Sequence, residues 1–307
     1  MSFEVITGNH AAGYALSAAG EANRTARGVA CGIYPITPQT EIVEYVAKFP
    51  FSKGRVVPVE SEHSAMAVSM GASISGARSF TASSANGLAY MAENVMVAGY
   101  YRLPIVMVAV NRTLGPPWNI WADQGDTLAL RDFAWLQFYC ETNQEVLDTT
   151  LLAFRIAEDR RILLPVLVCM DAFIVSHTQT ETSLPEQADV DRYLPDLDLP
   201  HRMHYDEART LGGLAWPQEG LSGRLEIDAA MKRVPDVYEE SREAFEDTFG
   251  RDPGAAVQTF DTADADVVLV ASGTMATTAR EVVRKRRDAG EKIGLAKIKM
   301  YRPFPAD

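Results

Sequence analysis

Four short segments of the sequence combine residue types that can do chemistry. In Tyr34-Pro35-Ile36-Thr37-Pro38-Gln39-Thr40 two prolines flank a threonine and stiffen the chain around its hydroxyl. That hydroxyl can cap a helix, with Pro38 at the first helical position, and a cap can still meet a ligand. In Val59-Glu60-Ser61-Glu62-His63-Ser64 a carboxylate, Glu62, opens a helical segment. It suits the positive end of the helix and equally suits acid–base work, while Glu60 reads as a surface residue and His63 as a structural or solvated one. In Thr81-Ala82-Ser83-Ser84-Ala85-Asn86-Gly87 small residues precede a helix and let backbone amides approach an anion or a ring. Finally, Asn111-Arg112 ends an aliphatic run. A guanidinium there can grip a carboxylate with two parallel hydrogen bonds, or serve in a structural ion pair. The next segment, Gly115-Pro116-Pro117-Trp118-Asn119-Ile120-Trp121-Ala122-Asp123-Gln124, is stiff and aromatic, suited to a pocket wall or a subunit interface.

Each of these segments follows an apolar run that reads as a strand. Val29–Ile33, Val56–Val59, Ser79–Ala82, Ile105–Val110 and Leu164–Cys169 are the strand-like runs. Ala11–Ala26, Gln39–Phe49, Ser64–Ser75, Leu88–Tyr100 and Gln144–Glu158 are the helix-like segments between them. The alternation predicts an α/β fold, a doubly wound, mostly parallel sheet covered on both faces. Ligands of such sheets bind beyond the carboxyl ends of the strands, where these four segments fall.

The organisation is expected to be a domain over 1–178, a linker and irregular segment over 179–262, and a second, smaller α/β domain over 263–307. Around 178–200 Pro, Asp, Glu and Gln dominate, and 201–260 reads as polar and irregular apart from a charged helix near Val237–Thr248. Val267–Ala271, Thr277–Asp288 and Ile293–Ile298 read as strand, helix and strand. One such unit is too small to bury its own core, so it is either incomplete or docked tightly on the first domain.

Composition narrows the function classes. The chain has 307 residues, 47% of them hydrophobic and 23% charged, with a formal net charge of −12. An acidic surface disfavours nucleic acid and anionic membranes. No run of about 18 apolar residues suggests a membrane-spanning helix, and the start of the chain shows no secretory leader. Cys31, Cys140 and Cys169 lie far apart in apolar surroundings, as buried reduced thiols of a cytoplasmic protein would. Without a Cys-x-x-Cys, or histidines at ligand spacing, the chain is expected to bind neither an iron–sulfur cluster nor a metal by itself.

Taken in order, GNHAAGYAL, YPITPQTEIVE, VESEHSAM, VMVAVNR, GPPWNIWADQGDTLALRD and LLPVLVCMDAFIVSHT resemble the alpha subunit of pyruvate:ferredoxin oxidoreductase and its 2-oxoacid:ferredoxin oxidoreductase relatives. The likeness is dense over about the first 180 residues and resumes over Val267–Pro305. It implies a thiamine-enzyme pyrimidine-binding domain, then the start of a transketolase C-terminal-like domain, incomplete at Asp307. It implies that Glu62, not Glu60, binds N1′ of the thiamine aminopyrimidine, and that Thr37 and Arg112 hold the carboxylate and oxo group of the 2-oxoacid. On the same loops Tyr34, Pro35, Ile36, Ser84 and Asn86 are the further expected cofactor contacts. No Gly-Asp-Gly followed by Asn-Asn is present; Gln124-Gly125-Asp126 is not that pattern. Magnesium, the diphosphate site and the [4Fe–4S] clusters are therefore expected in partner chains, a beta, a gamma and a ferredoxin-like delta subunit. Coenzyme A is expected as co-substrate, ferredoxin as electron acceptor and pyruvate as the default 2-oxoacid. The rivals are a non-catalytic α/β nucleotide-binding or scaffold subunit, and half of a thiamine enzyme that does not use ferredoxin. Against the former, no GxGxxG follows the first strand and no Walker loop is present.

Overall fold

The computed structural model describes residues 2–207 and 210–306; the expected domain limits at Met1 and Asp307 lie outside them. The first part runs β1 (Ser2–Thr7), α1 (Gly8–Ala22), β2 (Val29–Ile33), α2 (Thr40–Lys48), β3 (Gly54–Pro58), α3 (Glu62–Ile74) and β4 (Ser79–Ser83). It continues α4 (Ala85–Tyr90), α5 (Ala92–Tyr100), β5 (Ile105–Asn111), α6 (Gly125–Leu128), β6 (Leu136–Cys140), α7 (Asn143–Glu158) and β7 (Val166–Asp171). The rest runs β8 (Gln179–Leu184), α8 (Gln187–Tyr193), α9 (Pro217–Met231), α10 (Val234–Phe249), β9 (Val257–Phe260), β10 (Val267–Ala271), α11 (Thr274–Asp288), β11 (Ile293–Ile298) and β12 (Met300–Arg302).

The main sheet has the order β12-β6-β7-β5-β4, parallel throughout except for the short edge strand β12. The parallel pair β2-β3 abuts β4: Ala30 N donates to Arg78 O, Arg78 N to Gly28 O, and the Thr81 hydroxyl to Gly32 O. Every residue of β5 and β7 is buried, which is why these strands are almost continuously apolar until they end in Asn111 and Asp171. Helices α1 and α7 pack together over one face, and α3 to α5 cover the other. Arg78 is fully buried and binds Glu158 with two parallel hydrogen bonds while donating to the carbonyls of Ala19 and Pro195. It ties the main sheet to α1, α7 and the segment after α8. The three cysteine thiols are buried in strands, and burial pushes each above the usual thiol range.

Several elements depart from the sequence reading. β1, β6 and β8 were not expected as strands. β1 and β8 form an antiparallel ribbon whose β1 residues are largely exposed, so burial alternation has little purchase on them. β6 carries a buried Gln137 at its centre, satisfied by donating to Thr127 O, which interrupts the apolar run. The region expected to be a linker and irregular apart from one charged helix contains that helix, as α10, together with β8, α8, α9 and β9. α10 buries Val234, Val237, Tyr238, Ser241, Phe245 and Phe249 at helical spacing, and Tyr193 of α8 donates its hydroxyl to Ser241 O. α9 escaped notice because it is polar nearly all round and buries only Ala230 and Met231. The helix expected over Leu88–Tyr100 is two helices that break at Met91.

The second unit is a three-stranded sheet of order β10-β11-β9 with α11 on it. β11 runs straight into β12, which pairs antiparallel with β6, so the small sheet is joined to the main one. Buried Lys297 bridges Glu145 and Glu141, and Arg280 and Thr277 of α11 also donate to Glu141. These contacts dock the unit on the first domain. No helix among the described residues is long and apolar enough to cross a membrane.

Candidate active site

The parallel strands end at one edge of the sheet, because their registers pair Ile33 with Pro58, Ser83 with Ala109, and Asn111 with Asp171. All four candidate segments leave from this edge. The loop after β3 carries Glu62, the loop after β4 carries Ser84 and Asn86, β5 delivers Arg112, and the loop after β2 carries Thr37.

Ser61 caps α3 by accepting from Ser64 N, which fixes Glu62 as the first helical residue, at the positive end of the helix. Glu62 is buried, at 7% exposure, yet among the described residues nothing donates a hydrogen bond to its carboxylate. Its side chain lies flat against Gly87: a Cβ there would stand 2.7 Å from Glu62 Oε1 and 2.9 Å from Glu62 Cγ, and would also strike Ser83 Oγ. A larger residue at this point of α4 would have to displace the Glu62 carboxylate and the Ser83 hydroxyl. Ser83 Oγ and Asn86 Oδ1 are buried and unpartnered as well. Buried polar atoms without partners carry a desolvation cost, so Ser83 Oγ beside the Glu62 carboxylate at Gly87, with Asn86 Oδ1 on the same turn, suits a polar ligand. Glu60, two residues away, is exposed; the Ser64 hydroxyl donates to it and holds it below the usual carboxylate range. His63 points toward exposed Glu93 at 3.8 Å and its carbonyl accepts from Asn94.

Arg112 is half-buried at the end of β5, and its Nε is buried without a partner. Its backbone N donates to Oδ2 of Asp126, 3.2 Å away. No ion pair holds the guanidinium among the described residues, which disfavours the structural salt-bridge reading. Asp126 itself is 1% exposed and accepts from Asn111 Nδ2, Thr127 N, Ala85 N and Arg112 N. Burial pushes its carboxyl up to about 6 against the lowering effect of those four donors.

Thr37 stands on an exposed turn in which Gln39 N donates to Ile36 O and Gln39 Nε2 to Tyr34 O. α2 begins only at Thr40, after Gln39, so the expectation that Thr37 caps the helix with Pro38 at its first position is corrected. Pro38 is preceded by a cis peptide bond, and its carbonyl accepts from buried Asn9 Nδ2, which also donates to Glu41. The turn is thus pinned from α1, and the Thr37 hydroxyl has no partner among the described residues. Tyr34 and Ile36 are half-buried and Pro35 exposed along the same turn.

Sequence reasoning placed Ser84 at the ligand, but its hydroxyl is fully buried and donates to Val110 O. Ser83 is the serine with a free hydroxyl. Adjacent residues at a strand end face opposite ways, and spacing alone does not say which faces the ligand. Asn9 and Asp126 were also missed, Asp126 because its tripeptide was weighed only as a diphosphate motif. Trp118 and Trp121 project from the following loop, 70% and 69% exposed. A concavity of about 560 Å³ lined by Tyr100, Arg224, Lys232 and Arg302 lies elsewhere and includes none of the strand-end residues.

Residues 21–250 match the family model described as pyruvate flavodoxin/ferredoxin oxidoreductase, thiamine diP-binding, and residues 265–307 match pyruvate:ferredoxin oxidoreductase core domain II. Over 310 residues the chain is 43% identical to pyruvate synthase subunit PorA of Methanothermobacter thermautotrophicus, covering 100% of this chain and 79% of that one. It is 41% identical over 309 residues to ketoisovalerate oxidoreductase subunit VorA of Pyrococcus horikoshii, covering 99% of this chain and 76% of the relative. Among solved structures, the 2-oxoglutarate:ferredoxin oxidoreductase from Magnetococcus marinus, with 2-oxoglutarate, coenzyme A and succinyl-CoA bound, superimposes with a TM-score of 0.77 at 21% identity. That match covers 99% of this chain and 55% of the other, and it speaks for the fold. Transketolase from Leishmania mexicana shares the fold more distantly, with a TM-score of 0.55 at 14% identity over 99% of this chain and 36% of that one. The chain belongs to the pyruvate flavodoxin/ferredoxin oxidoreductase family, in the line of the alpha-type subunits of 2-oxoacid:ferredoxin oxidoreductases.

Proposed function

We propose that the strand-end edge is this chain's share of a thiamine diphosphate site at which a 2-oxoacid is oxidatively decarboxylated. The products are an acyl-CoA, carbon dioxide and reduced ferredoxin. One observation carries this reading: a buried Glu62 side chain with no partner among the described residues, pressed on Gly87 beside the unpartnered Ser83 hydroxyl, with the unpartnered Asn86 side-chain carbonyl on the next residue. These residues fit an aminopyrimidine, which brings ring nitrogens and an amino group and needs a floor without a Cβ. Bound there, thiamine diphosphate supplies a carbon nucleophile for the 2-oxo carbon and takes up the electron pair released with carbon dioxide.

The chain's own groups do the rest. Glu62 holds a proton at N1′ and so raises the basicity of the neighbouring amino group. Arg112 pairs with the substrate carboxylate, and the Thr37 hydroxyl donates to the carboxylate or oxo group from the facing turn. Tyr34, Pro35 and Ile36 line the approach. Trp118, Ile120 and Trp121, exposed beside the open edge, suit contact with the subunit that completes the site. We assign magnesium, the diphosphate contacts and the [4Fe–4S] clusters to beta, gamma and delta partner subunits, with ferredoxin as acceptor and the cytoplasm as the compartment.

Pyruvate is the default substrate, but relatives named for pyruvate and for ketoisovalerate stand at nearly equal identity, 43% and 41%. The test is reconstitution. The complex assembled from this chain and its partner subunits is given pyruvate, 3-methyl-2-oxobutanoate and 2-oxoglutarate with coenzyme A, and ferredoxin reduction is followed. Reduction that requires this chain and thiamine diphosphate, with one 2-oxoacid preferred, is expected. Reduction at the same rate without this chain would overturn the reading.

A further inference from the structure

We propose that Asp126 is a positioning residue that anchors the pyrimidine-side loop and the substrate arginine to a single carboxylate. Its Oδ2 accepts from Ala85 N at 3.0 Å and from Arg112 N at 3.2 Å. Its Oδ1 accepts from Asn111 Nδ2 at 2.7 Å and Thr127 N at 2.8 Å. Four nitrogen donors therefore converge on one buried side chain, and each oxygen takes two. The two donors on Oδ2 belong to the two halves of the site. Ala85 opens α4, one residue before Asn86 and two before Gly87, on which Glu62 rests. Arg112 is the residue assigned to the substrate carboxylate.

The backbone takes an unusual conformation at the point where Asp126 holds it. Ala85 has φ 41°, in the left-handed region that residues with a Cβ seldom occupy, and its amide is the one Asp126 holds. Asp126 in turn is braced from behind. Asn111 Nδ2 also donates to Thr127 Oγ1, which meets the Tyr139 hydroxyl at 2.9 Å, and Gln137 donates to Thr127 O. The bracing residues come from β5 and β6 in the fully buried main sheet, so the carboxylate is fixed to the most rigid part of the fold. A loop residue and a strand end that must meet two parts of one reaction centre are held by one group. A shift of about 1 Å at such a point costs on the order of 100-fold in rate. Asp126 is not placed to touch substrate or cofactor; it acts through Arg112 and the Asn86–Gly87 turn.

The proposal rests on the functional reading of Arg112, and its test separates the two. In the complex assembled with partner subunits, Asp126→Asn keeps the shape but turns one acceptor oxygen into a donor facing two N–H groups. Amide hydrogen exchange is expected to accelerate together around Ala85 and around Arg112, while β7 stays protected. The kcat/KM for the 2-oxoacid is expected to fall on the order of 10- to 100-fold. Because only the substrate-side part of the loss is carried by Arg112, Asp126→Asn should cost less in an Arg112→Ala background than in the wild type, keeping the part that acts through the Asn86–Gly87 turn. Asn111→Ala removes one donor and leaves the carboxylate; it should give the same paired change in exchange at smaller amplitude, and serves if the Asn variant does not assemble. Faster exchange around only one of the two residues, or losses that multiply in the double variant, overturns the shared anchor. An Arg112→Ala complex with unchanged kcat/KM overturns the functional reading instead, and leaves the exchange result to judge the anchor.

Discussion

The seam that docks the second unit and the edge that carries Glu62 both bury carboxylates, but they treat them in opposite ways. In the seam every carboxylate is met: Glu145 by Lys297 Nζ at 2.7 and 2.9 Å and by Glu141 N, and Glu141 by Arg280, Thr277 and Lys297. Asp171, at the seam's border with the site, accepts from Thr274 N and its hydroxyl at the start of α11. At the edge, Glu62 is equally buried and nothing among the described residues donates to it. Burial of a charge is thus uninformative by itself, and the presence of partners sorts structure from function. A satisfied cluster rigidifies; an unsatisfied carboxylate waits for a ligand.

The seam should give the largest effect, and on stability alone. Lys297→Met leaves Glu145 and Glu141 facing each other with fewer cations, and breaking a buried pair from one side costs about 3–5 kcal/mol. Thermal unfolding of the complex should show this loss, with the KM for the 2-oxoacid nearly unchanged. An equal rise in KM would mean that the seam and the edge are not separable. Acid should loosen the seam as well. Glu141 is held below its ordinary 4.5 because the bonds from Arg280, Thr277 and Lys297 outweigh its burial. A carboxyl lowered in the folded state contributes stability above its unfolded pKa and loses it as pH falls through the folded one. The melting-temperature gap between wild type and Glu141→Gln should therefore be widest near neutral pH and close as pH drops below 4.5.

At the edge the expected effects fall on catalysis and spare stability. Arg112→Ala should lower kcat/KM for the 2-oxoacid by the equivalent of about 2–4 kcal/mol, the scale of a lost charge-assisted pair, with thiamine diphosphate affinity little changed. Normal kinetics in that variant would remove Arg112 from the site. Glu62→Gln keeps the shape but cannot share a proton with N1′. Hydrogen–deuterium exchange at thiamine C2 in the assembled complex should slow by on the order of 100-fold or more, while exposed Glu60→Gln stays mild. Fast exchange in Glu62→Gln with collapse in Glu60→Gln would show that the other glutamate does the work.

The sequence was most legible where one residue type answers one physical demand. The aliphatic runs of β5 and β7 announced a parallel sheet covered on both sides, and the turn-rich ends of its strands located the edge. Legibility failed where polar residues are buried by partners distant in sequence. Gln137 hides β6 because the carbonyl that satisfies it belongs to Thr127. Asp126 draws donors from positions 85, 111, 112 and 127, a convergence that no local spacing records. Ser83 and Ser84 are chemically identical neighbours, and only the fold assigns one to Val110 and leaves the other open. α9 has no apolar stripe to read, whereas α10 has one and was partly seen.

Thr37 offers the smallest effect and the finest cut between the two regions' logic. As a helix cap it would belong with the seam, and its removal would cost about 1 kcal/mol of stability. The structure puts the start of α2 at Thr40 and leaves the Thr37 hydroxyl exposed and without a partner among the described residues, which groups it with the edge under the proposed function. Thr37→Val removes the hydroxyl and preserves the branched shape. The pinning of the turn is untouched, because Asn9 holds the Pro38 carbonyl and Gln39 holds the Tyr34 carbonyl. One neutral hydrogen bond to substrate is worth about 0.5–1.5 kcal/mol, so kcat/KM should fall by roughly 2- to 12-fold while the melting temperature stays put. A lowered melting temperature with unchanged kcat/KM would return Thr37 to a structural role and leave Arg112 to hold the carboxylate without it.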